Sequence, residues 1–74
     1  MVLIQVISED PIILNCYKNN KVEGFFQLTI DPESYEIINK PEGHDIDVSI
    51  AYSRIFHYLI NGEKLPEETT AEWG

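Results

Sequence analysis

Apolar residues alternate with polar ones through the first half of this chain and recur at every third or fourth position after Gly43. That change of period leaves few architectures open, because period two marks half-buried strands and period 3.6 marks a helix. Short runs rich in β-branched and aromatic residues cover positions 2–8, 12–17, 22–30 and, more weakly, 35–39. Turn residues punctuate them: Glu9-Asp10-Pro11, then Lys18-Asn19-Asn20-Lys21, then Asp31-Pro32-Glu33-Ser34, then Pro41-Glu42-Gly43. Asn tolerates positive φ, so Asn19-Asn20 suits a two-residue hairpin turn. Beyond Gly43, Asp45 or Asp47 can cap a helix running to about Ile60, with Asn61-Gly62 as its stop and Pro66 beyond. On such a helix Val48, Ala51, Tyr52, Ile55, Phe56, Tyr58 and Leu59 share one arc, which can cover a sheet face.

The expected fold is therefore α+β: a four-stranded antiparallel meander followed by one amphipathic helix packed on one sheet face, in ββββα order. The first and fourth strands are expected at the sheet edges. Residues 1–62 form this single domain, and residues 63–74 form an acidic tail or a short helical turn in which Leu65 and Trp73 tether the segment to the body. An antiparallel meander with a helix occurs in many small domains, so the fold by itself licenses no function.

Register assigns the side chains to faces. An Asn19-Asn20 turn sets Tyr17 opposite Val22 and Ile13 opposite Phe26. One face then carries Val2, Ile4, Val6, Ile13, Tyr17, Val22, Phe26, Leu28, Ile30, Tyr35 and Ile37, enough to pack under the helix. The other face holds Gln5, Gln27 and Thr29, but also Leu3, Ile7, Ile12, Leu14, Cys16, Phe25 and Ile38. Ile46, Ile50 and Ile60 fall off the main helical arc in the same way. A one-residue slip exchanges the faces without removing the excess. A contiguous apolar patch of more than a few hundred Å² marks an interaction surface.

Charge and cysteine usage narrow the function classes. Thirteen Asp and Glu against five Lys and Arg give a net charge of −8, and the basic residues are scattered. Direct nucleic-acid binding and adhesion to anionic lipid both need clustered cations, so neither is expected. The acidity serves solubility or attraction to a basic partner. With 74 residues and one cysteine, no internal disulfide supplements a small core, and association is a common remedy. An unpaired Cys16, and an apolar residue 1–7 stretch too short for a signal peptide, lead to a cytoplasmic expectation.

Chemical motifs are sparse. Cys16 has no CxxC companion, and its use as a nucleophile requires His44 or His57 within hydrogen-bond reach. His44-Asp45 with Asp47 is explained more economically by helix capping than by a metal, and no phosphate loop, zinc spacing or G-x-S-x-G is present. No cofactor is expected. The leading expectation is a non-catalytic protein-interaction module, homodimeric or bound to another protein through the second sheet face. Its contacts are Leu3, Ile12, Leu14, Phe25 and Ile38, with Trp73 as a further anchor. Two alternatives remain: an acidic inhibitor or DNA mimic that binds a basic partner, and a minimal enzyme built on Cys16 with His44 or His57.

Overall fold

The computed structural model describes residues 1–18, 24–43 and 45–72. The chain runs β1 (Val2–Glu9), β2 (Ile12–Lys18), β3 (Phe25–Ile30), β4 (Ile37–Asn39), α1 (Asp45–Ile60) and β5 (Glu68–Ala71). The strands form one antiparallel sheet in the order β4-β3-β2-β1-β5, with the helix on one face. This is the α+β arrangement that the change of period implies. Among the described residues no helix is long and apolar enough to cross a membrane.

The core explains the strand register. Tyr17 pairs with Phe25 and not with Val22, three positions further along β3 than a two-residue turn would set it. An odd shift of register turns one strand over relative to its neighbour. Ile12, Leu14 and Cys16 therefore meet Ile30, Leu28 and Phe26 under the helix, and Asn15 meets Gln27 on the opposite face. The observed register buries three apolar pairs and leaves the amide pair wet, where Gln27 Nε2 donates to Asn15 Oδ1 at 3.0 Å. Burying those apolar pairs outweighs the local preference of an Asn-Asn turn. The expected turn residues Asn19 and Asn20, and Val22, lie outside the described residues.

Val2, Ile4, Ile12, Leu14, Cys16, Phe26, Leu28 and Ile30 thus line the buried sheet face, and Val48, Ala51 and Ile55 of α1 close over them. Tyr52, Leu59 and Ile50 pack at the margin of this core. Gly24 allows the backbone to close on the end of β2: a Cβ there would stand 2.7 Å from the Lys18 Cβ. From that position Lys18 Nζ reaches Asp47 Oδ2 at 3.7 Å, tying the end of β2 to the first turn of α1. Asp47 is buried inside the helix and does not act as a cap.

The C-terminal segment departs from the expected tail or helical turn. Residues 68–71 pair with β1, and Ala71 is buried against Val2. Leu65 packs on the core as expected of a tether, whereas Trp73 lies outside the described residues. The edges of the sheet are consequently β4 and β5, and β1 is an interior strand.

Candidate functional site

The sheet face away from α1 is smaller as an apolar surface than the alternation of the sequence suggests. Ile12 and Leu14, expected among its contacts, are at most 1 % exposed and belong to the core, as does Cys16. The register shift is the physical reason: it moves the even positions of β2 beneath the helix. Ile13 and Tyr17, assigned by sequence to the helix side, take their place on the open face.

Three rows cross this face. Leu3, Tyr17 and Phe25 are neighbours across three strands, and the Tyr17 and Phe25 rings meet edge-on at 5.2 Å between centroids. The next row is polar: Glu68, Gln5, Asn15 and Gln27, with Gln5 Nε2 donating to Glu68 Oε2 at 3.4 Å. Ile13 and Thr29 follow. Ile38 is exposed on β4, where the pairing with β3 is irregular, and Ile7 is exposed where β1 bulges between Val6 and Ser8. Leu3 and Phe25 are thus brought together around Tyr17, but the amide row separates that end from Ile13, and Ile38 lies at the other end of β3. An antiparallel sheet commonly has one such mixed face in water.

A second surface lies on the helix side. α1 runs beside β5 across an open groove of about 840 Å³, lined by Ile46, Ser49, Ile50, Ser53, Arg54 and His57 of the helix and by Thr70, Ala71 and Glu72 of the strand side. Ile46 is 62 % exposed there and Ile50 is half-buried, so the helical wall sets two apolar side chains among Ser49, Ser53, Arg54 and His57. These are the residues that fall off the main helical arc. Nothing in the sequence pattern pairs them with a strand, because Glu68–Ala71 is too short and too rich in Thr and Glu to stand out.

Among the described residues the strand wall of the groove is an unpaired edge. Val6 N–H donates to the Glu67 carbonyl at 2.9 Å, which makes Val6 and Glu67 a hydrogen-bonded pair. Antiparallel ladders alternate, so Thr69 and Ala71 direct their N–H and C=O groups to β1, while Glu68 and Thr70 direct theirs outward. Both outward-facing residues are exposed.

Among the described residues, groups with chemical potential do not converge. Cys16 is fully buried, and desolvation pushes its thiol up to about 12. His57 is exposed on the groove side of α1, with the Asn61 amide within 3.4 Å of its ring nitrogens. His44 and the side chain of Asp45 lie outside the described residues. Asp47 Oδ1 is buried without a hydrogen-bond partner, although its other oxygen faces Lys18. No protein-family model matches this chain, and comparisons with curated proteins and with solved structures find no match.

Proposed function

We propose that this protein is a non-catalytic interaction module that takes an extended segment of another polypeptide at the free edge of β5. The observation that carries this reading is the coincidence of two features. The outward N–H and C=O groups of Glu68 and Thr70 need partners, and the adjoining groove offers exposed Ile46 beside Ile50. Strand addition draws affinity from main-chain hydrogen bonds and specificity from pockets that receive alternate side chains. The edge supplies the first and the helical wall the second. A buried Cys16 whose thiol is held far above neutral pH leaves little thiolate for nucleophilic catalysis, which favours binding over chemistry. The same buried free thiol suits a reducing compartment, so a cytoplasmic location belongs to this proposal.

Thr70→Pro tests the proposal with little disturbance to the fold. Proline removes the outward N–H of Thr70 and leaves the bonds between Thr69, Ala71 and β1 in place, as edge strands tolerate. The variant is expected to melt within a few degrees of the parent, while binding of an extended segment, followed by amide shifts in NMR spectra, weakens at least tenfold. Undiminished binding by Thr70→Pro would remove the edge from the account. Pairing with a second copy is the competing occupant of the same edge.

A further inference from the structure

Resting on the edge-and-groove reading, we infer that the segment accepted by β5 alternates apolar and basic residues. Charge is the first ground. Glu67, Glu68 and Glu72 lie on or beside β5, all exposed, in a chain of net charge −8. Among the described residues Lys18 is paired with Asp47 at the end of β2 and not with these carboxylates. Geometry is the second ground. The Glu68 side chain is on the open face, where Gln5 reaches it, and a residue opposite it on a sixth strand shares that face. The alternate residues of that strand point to the helix side, toward Ile46 and Ile50. Lys or Arg on one side and Val, Ile or Leu on the other therefore complement both walls, and opposite charges directly across strands stabilise pairing. A second copy fits less well, because antiparallel pairing of two β5 edges gathers the glutamates of both chains.

The probe is a blocked peptide of about seven residues alternating lysine and valine, long enough to cover β5 at about 3.3 Å per residue. Its counterpart has glutamate in place of lysine. Both are titrated into the full chain while the amides of Glu68, Thr70 and Glu72 and the methyl groups of Ile46 and Ile50 are followed by NMR, and the mass is checked at each protein concentration. The lysine peptide is expected to shift these signals, to bind at least tenfold tighter than the glutamate peptide, and to lose that advantage in the Glu68→Gln/Glu72→Gln variant or at high salt. Equal binding of the two peptides would leave strand addition standing and overturn the basic partner. Binding of neither would overturn strand addition itself. A doubled mass, with the same amides shifting on dilution of the free protein, would assign the edge to a second copy and overturn the inference.

Discussion

Leu14 and Phe25 show how differently two apolar residues on neighbouring strands are used. Leu14 is fully buried between sheet and helix, so Leu14→Ala leaves a cavity and should cost about 2–5 kcal/mol, measured by denaturant unfolding. Phe25 is 39 % exposed and leans on Tyr17, and its truncation should cost only about 0.5–1.5 kcal/mol. Equal losses would contradict the register that separates them. Cys16 makes the burial visible to pH. Its folded-state thiol is raised to about 12 from an ordinary 9.0, so above pH 9 the unfolded chain gives up a proton that the folded chain keeps. Stability contributed by Cys16 is therefore full below pH 9 and falls by about 1.4 kcal/mol per pH unit as pH rises from there toward 12. Cys16→Ala should lose this alkaline slope, and a thiol reagent at neutral pH should label the native protein only as fast as it opens.

At the scale of elements, the helix was the most legible part of the sequence. Its C-terminal end follows from Asn61-Gly62: Gly62 has a φ of +67°, Gly62 N–H donates to the Leu59 carbonyl at 3.3 Å, and Glu63 N–H donates to Tyr58 at 2.9 Å. This is the left-handed glycine cap of the Schellman motif. Gly62→Ala places a Cβ in open space but strains that φ, and a loss of about 1 kcal/mol is expected in thermal unfolding. Strands one to four were legible as segments, because alternation is local. Their faces were not, because register joins residues far apart in sequence and was settled by which side chains the core could hold. Asn19-Asn20 signalled a tight turn, yet Tyr17 and Phe25 are separated by residues 18–24. β5 was illegible for a different reason. Four residues of Glu, Thr and Ala carry no periodic signal, and the strand exists because β1 offers it a ladder and Ala71 a small residue to bury against Val2. The proposed site was missed with it, since Ile46 and Ile50 acquire a facing wall only when β5 is in place.

Among the described residues the molecule joins a filled core to a β5 edge that no further strand covers. Lys18 and Asp47 tie the sheet to the start of α1. At the far margin the Tyr52 hydroxyl donates to the Tyr35 carbonyl, and the Tyr35 ring meets Phe56 edge-on at 6.1 Å. These contacts hold α1 across the sheet between the end of β2 and the loop before β4. That packing resolves part of the apolar surplus: Ile12, Leu14 and Cys16 are core and Ile50 is marginal, whereas Ile7, Phe25, Ile38, Ile46 and Ile60 remain exposed, Ile46 beside an open strand edge. The central claim is that this edge is a docking strand, and amide hydrogen exchange at Thr70 tests it most directly. In the free protein Thr70 should exchange rapidly while Thr69 and Ala71 are protected by β1, and the alternating lysine–valine peptide should slow Thr70 at least tenfold. A Thr70 amide that is already protected in the free monomer, or that exchanges as fast with saturating peptide as without it, would contradict the account.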